Sequence, residues 1–206
     1  ITLTEAVAKL LADQPNHLSI LRGPGAGSLF YTAHLTVYRP IEDVQPSSRG
    51  ITVSREYFRY DGQCGDTHDP CPLAPSARVG DDLQVRVTLT VPADQYYLAI
   101  EDPFPAGTDP VDPHLRTSAK AVPPSEVVLA DPLRGGWGWW WFTRSELRDD
   151  RLFLFADYLP AGTYQYTYIL HTTLPGEYRV APTRAWAFYF PEVNGQAAGR
   201  VYTIQP

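Results

Sequence analysis

Two cysteines lie close together in a short polar segment, which is the first candidate site for chemistry. The segment Cys64-Gly-Asp-Thr-His-Asp-Pro-Cys71 holds both cysteines of the chain. In a metal site, Cys64, His68 and Cys71 would bind the ion, and Asp66 or Asp69 would assist. Zinc sites prefer a Cys-x2-Cys pair with a second ligand pair elsewhere, however, and no further cysteine supplies it. The sequence therefore favours a local disulfide, worth about 2.5 kcal/mol less any strain, and predicts an oxidising compartment and no bound metal.

The densest aromatic run of the chain is Trp137-Gly-Trp-Trp-Trp-Phe142. On a strand, Trp137, Trp139 and Trp141 would share one face. An exposed face of this kind would be a flat platform for sugars, hydrophobic peptides or a partner domain. The alternative is a strand buried on both sides. We favour burial because large aromatic side chains usually supply core.

Motifs for catalysis are absent from the sequence. The histidines have no His-x-His or His-Glu-x-x-His spacing, and no Gly-x-Ser-x-Gly elbow occurs. The glycine-rich segment Gly23-Pro-Gly-Ala-Gly27 lacks the Lys-Ser/Thr that gives a phosphate loop its chemistry. We therefore expect no catalytic residue, no cofactor and no enzyme activity.

Composition excludes two further classes of partner. The net charge is -6, so the basic footprint of a nucleic-acid-binding protein is missing. No apolar run approaches the roughly 20 residues that span a bilayer. Hydrophobic residues make up 44% of the chain and charged residues 19%, which is enough apolar material for a packed core.

The elements that must position any site are short strands. Leu83–Val91 alternates five apolar residues with polar ones, which is the pattern of a strand with one buried face. Sheets with one apolar face must pack on each other, so the sequence predicts an all-β fold, an antiparallel β-sandwich. Ile1 to Leu21 fits a short helix or two strands, and we expect Asp102–Pro124 to be mostly irregular. The predicted strands are Ser28–Tyr38, Ile51–Tyr60, Leu83–Val91, Tyr96–Ile100, Trp137–Thr143, Leu152–Ala156, Tyr164–Thr172, Glu177–Val180, Arg184–Phe190 and Arg200–Ile204.

Segments along nearly the whole chain share one resemblance. They include Asn16-His-Leu-Ser-Ile-Leu-Arg-Gly23, Arg49-Gly-Ile-Thr-Val-Ser-Arg-Glu-Tyr57, Gly80-Asp-Asp-Leu-Gln-Val85, Leu159-Pro-Ala-Gly-Thr-Tyr164 and Phe190-Pro-Glu-Val-Asn-Gly195. In order and spacing, these segments resemble bacterial alpha-2-macroglobulins just after their thioester domain.

The resemblance implies two parts. Residues 49–206 would form the terminal macroglobulin-type sandwich, which is immunoglobulin-like. Residues 1–48 would form a small N-terminal β segment. It would supply the last strands of a preceding small β domain, the carrier of the thioester domain. The thioester motif Cys-x-Glu-Gln is absent, so no reactive residue carries over to this chain.

Two functions follow as expectations. The first is a non-catalytic structural and docking domain of an extracytoplasmic alpha-2-macroglobulin-like protease inhibitor. Its partners would be the thioester domain and, through the full-length protein, target proteases. The second is a carbohydrate-binding or adhesive β-sandwich that uses Trp137, Trp139 and Trp141 on an exposed face.

Overall fold

The structure is a computed structural model that describes residues 21–28, 30–32, 38–62, 64, 71–111 and 141–206. The chain divides into two compact units, Ile1–Tyr38 and Arg39–Pro206. Most of the first unit lies outside the described residues, including the ambiguous segment before Leu21. The description below concerns the second unit.

The described part of this unit consists almost wholly of strands. A single 3-10 turn, Ile41–Asp43, precedes them. The strands are β1 Ser47–Arg49, β2 Thr52–Tyr60, β3 Ser76–Arg78, β4 Asp82–Val91, β5 Gln95–Pro103, β6 Thr108–Pro110, β7 Arg144–Leu147, β8 Arg151–Leu159, β9 Gly162–Thr172, β10 Gly176–Val180, β11 Arg184–Ala187, β12 Asn194–Gln196 and β13 Arg200–Gln205.

Three sheets result from these strands. A six-stranded sheet has the order β1-β12-β11-β5-β8-β7, a four-stranded sheet the order β2-β4-β9-β6, and a three-stranded sheet the order β10-β13-β3. Among the described strand pairs, only β13 and β3 run parallel. The predicted all-β antiparallel sandwich is confirmed.

The core lies between the sheets and is built by the period of two in each strand. The five apolar residues of β4 from Leu83 to Val91 are all fully buried. They meet buried residues from β2, β5, β8 and β9 in one continuous hydrophobic cluster. Burying a side chain of this size stabilises the fold by about 1.5–3 kcal/mol, so the alternation in β4 alone fixes which face of its sheet must turn inward.

Most of the predicted strands in the described residues are confirmed, with small shifts at their ends. Three predictions need correction. The stretch from Asp102 is not irregular at its start, because β5 continues through Pro103 and β6 follows. Both prolines, Pro103 and Pro110, stand at strand ends, where the missing N–H costs no ladder bond. In addition, β11 ends at Ala187 and residues 188–190 enter a turn.

The third correction concerns the tryptophan run. Trp141 to Thr143 lie outside any strand, and β7 begins only at Arg144. Residues 137–140 fall outside the described residues, as does most of the predicted strand Ser28–Tyr38. Within the described part of the chain, no helix has the length and apolar character that crossing a membrane requires.

Candidate docking surface

An exposed group of aromatic side chains stands at one end of the six-stranded sheet. Tyr97 of β5, Phe188 and Tyr189 are 51%, 62% and 65% exposed. The ring of Tyr189 meets Tyr97 edge-on, with centroids 5.2 Å apart, and meets Phe188 at 5.4 Å. We call these three residues the aromatic cluster. Exposed aromatic rings that lie together are typical of an interaction site, because rings of this size are normally buried in the core.

A tight turn presents two members of this cluster. The chain leaves β11 at Ala187 and returns to β12 through a turn in which the N–H of Phe190 donates to the Ala187 carbonyl (3.2 Å). The N–H of Val193 then donates to the Phe190 carbonyl (2.8 Å). The side-chain amide of Asn194 donates to the Pro191 carbonyl at 2.8 Å and fixes the return. Polar residues usually occupy such turns, so the aromatic residues here are not required by the turn itself.

Tyr97 has an unusual backbone conformation. Its φ is 52°, and no other described non-glycine residue has a positive φ. Residues on both sides keep the antiparallel register with β8, from Gln95–Leu159 to Pro103–Arg151. The Tyr97 carbonyl accepts a hydrogen bond from the N–H of Phe188 at 2.8 Å. A bulky residue in this region carries strain, and its hydrogen bond to Phe188 joins β5 to the aromatic turn.

The aromatic cluster borders a small recess on the outer face of the six-stranded sheet. The recess has a volume of about 120 Å³. Its walls are mostly apolar, and Asp157 is the single charged residue among them. The lining residues are Tyr97, Leu98, Ala99, Phe155, Ala156, Asp157, Phe188 and Tyr189.

A polar cluster of a different kind lies inside the sandwich. Arg55 of β2 donates from Nη1 to Oδ1 of Asp102 (2.8 Å) and to the Pro103 carbonyl (2.7 Å). Asp102 also accepts from the hydroxyls of Thr183 (2.7 Å) and Tyr168 (2.6 Å). The side chains of Arg55 and Asp102 are only 3% and 1% exposed. The pair is therefore sealed from solvent and joins β2, β5 and β9 to the segment before β11.

Burial and charge act together on the ionisation of this cluster. Burial disfavours the charged guanidinium, but the neighbouring Tyr57 and the Asp102 carboxylate outweigh it and raise the pKa of Arg55. For Tyr168, burial comes first and the Asp102 charge adds to it, so its pKa lies well above the usual value. Arg55 stays charged and Tyr168 stays protonated, which keeps every hydrogen bond to Asp102 in place. The cluster therefore has a structural role, because its charged groups are buried and no substrate could reach them.

The cysteine loop closes as a disulfide. Cys64 and Cys71 are bonded, with their Cα atoms 4.9 Å apart, and both are buried against Phe58 with Tyr60 alongside. Because both sulfur atoms are in the disulfide, neither is a free thiolate that could bind a metal ion as the alternative requires. The other residues of that alternative, Asp66, His68 and Asp69, lie outside the described residues.

The tryptophan predictions have different outcomes. Trp141 is buried at 9% exposure and belongs to the main core. Its indole N–H donates to the Gln165 carbonyl of β9 at 3.0 Å, and its ring contacts Tyr164 at 5.5 Å. Trp141 therefore has no face free for a ligand. Trp137 and Trp139 lie outside the described residues, so a binding role for them stays a prediction.

The predicted strand Arg184–Phe190 conceals the aromatic cluster, because it keeps Phe188 and Tyr189 within the sheet. The signal in the sequence that marks the turn is Pro191, which directly follows three aromatic residues. With the turn placed correctly, Phe188 and Tyr189 leave the sheet and reach solvent.

Comparison with known proteins assigns this architecture to a class. Residues 50–192 match the family model described as the bacterial alpha-2-macroglobulin MG10 domain. The chain therefore belongs to the bacterial alpha-2-macroglobulin family, as the resemblance had indicated. The matched range includes the disulfide, the buried polar cluster and the whole aromatic cluster.

Similarity to individual proteins extends over most of the chain. The alpha-2-macroglobulin homolog of Nostoc sp. is 27% identical over 188 residues, which are 88% of this chain and 9% of that protein. Circularly permutated Ras protein 2 of Dictyostelium discoideum is 24% identical, over 85% of this chain and 4% of that protein. Escherichia coli alpha-2-macroglobulin activated by porcine elastase superposes with a TM-score of 0.59 at 16% identity, over 79% of this chain and 14% of that one. The chain thus spans about a tenth or less of the curated relatives that it matches.

Proposed function

We propose that this chain is a non-catalytic docking domain of an alpha-2-macroglobulin-like protease inhibitor. Its surface, in this proposal, holds the thioester domain of the same parent protein in place. The full-length parent would trap target proteases, and the present chain would meet them only as part of that whole. Family membership and the small share of each relative that the chain spans support a role among neighbouring domains.

The observation that carries the proposal is the aromatic cluster. Tyr97, Phe188 and Tyr189 are each more than half exposed, and the ring of Tyr189 contacts the other two. The turn that presents Phe188 and Tyr189 is held by its own backbone hydrogen bonds, so the rings are positioned before any partner arrives. A preorganised apolar surface lowers the entropic cost of docking.

Two further features of the proposal concern location and extent. The Cys64–Cys71 disulfide favours an extracytoplasmic compartment, since such bonds persist in oxidising surroundings. The assignment of residues 1–48 to the end of a preceding β domain, and of 49–206 to the terminal sandwich, stays a prediction. The carbohydrate-binding alternative loses Trp141, because that residue is in the core, and its other two tryptophans lie outside the described residues.

Site-specific crosslinking in the full-length parent tests the docking role. A photoreactive p-benzoylphenylalanine replaces Tyr189, and the crosslinked peptides are identified by mass spectrometry. We expect them in the thioester domain. The matched control carries the same amino acid at Leu174, which is also an exposed apolar turn residue, 59% accessible, but lies in the β9–β10 connection. Crosslinks from position 189 that fall elsewhere, or none at all, would refute the proposal.

A functional readout complements the crosslink. Amines attack the thioester carbonyl, form an amide and release a thiol that can be titrated. If the aromatic cluster shields that bond, Phe188→Ser combined with Tyr189→Ser should accelerate thiol release by methylamine, whereas Leu174→Ser should not. An unchanged rate in the double variant would remove the shielding role from these two rings.

A further inference from the structure

We propose that the recess beside the aromatic cluster receives one leucine-sized apolar side chain of the docked neighbour, next to a basic residue that pairs with Asp157. This inference rests on the proposed docking function and adds the chemistry of the contact. The contact surface is then a socket, namely the apolar recess with Asp157 at its rim, and not a flat hydrophobic patch.

The size of the recess determines which apolar side chain of the neighbour can enter it. Its volume is about 120 Å³, and its walls include the rings of Tyr97, Phe155 and Tyr189. An apolar cavity of about 150 Å³ accommodates a molecule of benzene, so this recess fits a single medium-sized aliphatic side chain. A tryptophan would not fit, and an alanine would leave most of the space empty.

The charge at the rim of the recess favours a basic residue of the neighbour. Asp157 is an exposed residue of β8, and its backbone N–H donates to the Thr143 hydroxyl oxygen at 3.0 Å. Arg144, Arg148 and Arg151, the arginines nearest to it in sequence, pair with other carboxylates. A lysine or arginine of the partner would therefore find an acceptor at the edge of an apolar socket, where pairing is screened less than in open water.

The floor and one wall of the recess are fixed by the backbone. Ala99 and Phe155 are directly paired across β5 and β8, and the small side chain of Ala99 leaves the space open. Tyr97, two residues earlier in β5, has its left-handed conformation at the rim and binds the Phe188 N–H. Tyr97 thus links the rim of the recess to the aromatic turn.

Binding of capped dipeptides to the full 206-residue chain tests this inference directly. The probes are N-acetyl-Leu-Arg-amide, N-acetyl-Ala-Arg-amide and N-acetyl-Leu-Glu-amide, followed by the aromatic carbon–proton NMR signals of Tyr97, Phe155 and Tyr189. We expect saturable shifts with the first probe at millimolar concentration. The alanine probe should bind roughly tenfold more weakly, because one side chain's worth of apolar contact is lost. The glutamate probe should be weakened by repulsion from Asp157.

Two variants locate the effect. Ala99→Leu fills the recess from its floor and should abolish the shifts caused by N-acetyl-Leu-Arg-amide. Asp157→Asn, with Asp149→Asn as the control at another exposed aspartate, should remove the preference for arginine over glutamate while the leucine preference stays. If Ala99→Leu fails to fold, the Asp157→Asn result decides alone.

Specific results would overturn the inference. Equal binding of all three dipeptides, no saturable binding, or an unchanged arginine preference in Asp157→Asn would each remove the socket. This failure is separable from failure of the docking role. Crosslinking from position 189 to the thioester domain, together with no dipeptide binding, would leave docking intact and reject the socket alone.

Discussion

At the scale of single residues, Asp102 has the most demanding surroundings in the described part of the chain. A fully buried carboxylate is costly unless donors surround it, and here Arg55, Thr183 and Tyr168 all donate to it. These donors come from separate strands and from the segment before β11. The cluster therefore stabilises one arrangement of the two sheets against slipped ones, as buried polar groups can.

Replacing Asp102 by Asn should destabilise the chain strongly. The Arg55 charge would be left buried without its counterion, at a cost of about 3–5 kcal/mol. Urea denaturation followed by tyrosine and tryptophan fluorescence measures the change. Asp109→Asn is the matched control, because Asp109 is an exposed aspartate of β6, and its effect should stay within about 0.5 kcal/mol. Similar midpoints for the two variants would contradict the structural role of the cluster.

Tyrosine ionisation should limit stability at high pH. Burial raises the pKa of Tyr202 to about 12 and that of Tyr168 well above its usual value. A phenol whose pKa is raised by folding gives its full contribution below the unfolded pKa, near pH 10, and loses it as the pH climbs toward the folded value. Above pH 10, each such group should lower the free energy of unfolding by about 1.4 kcal/mol per pH unit.

The variant Tyr168→Phe tests how much of this pH dependence comes from Tyr168. The variant has no phenol to ionise at this position, so above pH 10, where the unfolded phenol loses its proton and the folded one keeps it, its stability should fall less steeply than that of the wild type. It should also be less stable at pH 8, because Asp102 loses one donor. Urea midpoints at a series of pH values measure both effects. Parallel pH profiles for the two proteins would show that Tyr168 does not retain its proton on folding.

At the scale of elements, the strand from Asp82 to Val91 was predictable and the turn after Ala187 was not. Strict alternation in β4 leaves one orientation that buries its apolar residues. Short strands such as β1, β6 and β12 have three residues each, too few for a period to register. They exist because neighbouring strands offer them unpaired edges, which is a tertiary effect.

The candidate site was predictable only in outline. An outer docking surface was expected from the resemblance, but its residues were not. Trp141 illustrates the difficulty, since its place in the core depends on the Gln165 carbonyl, a partner 24 positions away. The aromatic cluster likewise brings together Tyr97 and the turn at Phe188, which only the pairing of β5 with β11 makes neighbours. Local patterns contain no information on such pairings.

The disulfide acts on the element that connects β2 to β3. Replacing both Cys64 and Cys71 by Ala should lower the free energy of unfolding by about 2.5 kcal/mol, because the unfolded chain gains the freedom of an open loop. Urea denaturation of the double variant measures the loss. Wild-type protein treated with a reductant should show a comparable loss. An unchanged midpoint in either experiment would mean that the native loop stores strain equal to the entropic gain.

At the scale of the whole molecule, the two faces of the six-stranded sheet have separate tasks. Its inner face forms the core, with Leu98 and Ile100 of β5 fully buried. The next residues along the same strand serve the outer face, where Tyr97 and Ala99 border the recess. One strand therefore couples the stability of the sandwich to the shape of the proposed docking surface. Changes in the core at Leu98 should be felt in the aromatic cluster, whereas the three-stranded sheet, which includes β10 and β13, contributes no residue to it.

The extent of the sandwich can be tested by truncation. Residues 39–48 belong to the compact unit that begins at Arg39. The Val44 carbonyl accepts from the N–H of Gly199 at 3.0 Å, and β1 pairs with β12 from Ser47 to Arg49. At Gly199 a side chain would clash with the Ile41 carbonyl, so the approach is close. A fragment of residues 39–206 should therefore keep all these contacts, and one of residues 50–206 should lose them.

We expect the shorter fragment to unfold at a lower urea concentration. It loses the β1–β12 pairing and exposes the edge of β12, including the Gln196 amide that donates to the Gln45 carbonyl at 3.2 Å. Removal of several such hydrogen bonds should cost roughly 2–4 kcal/mol, at about 1 kcal/mol for each bond. The slope of the urea transition reports whether both fragments still unfold as one unit. Equal midpoints would show that the sandwich does not need residues 39–49 and would agree with the start near residue 49 that the resemblance predicts. A lower midpoint for 50–206 would instead make those eleven residues part of the sandwich, because the fold would then depend on them for its edge.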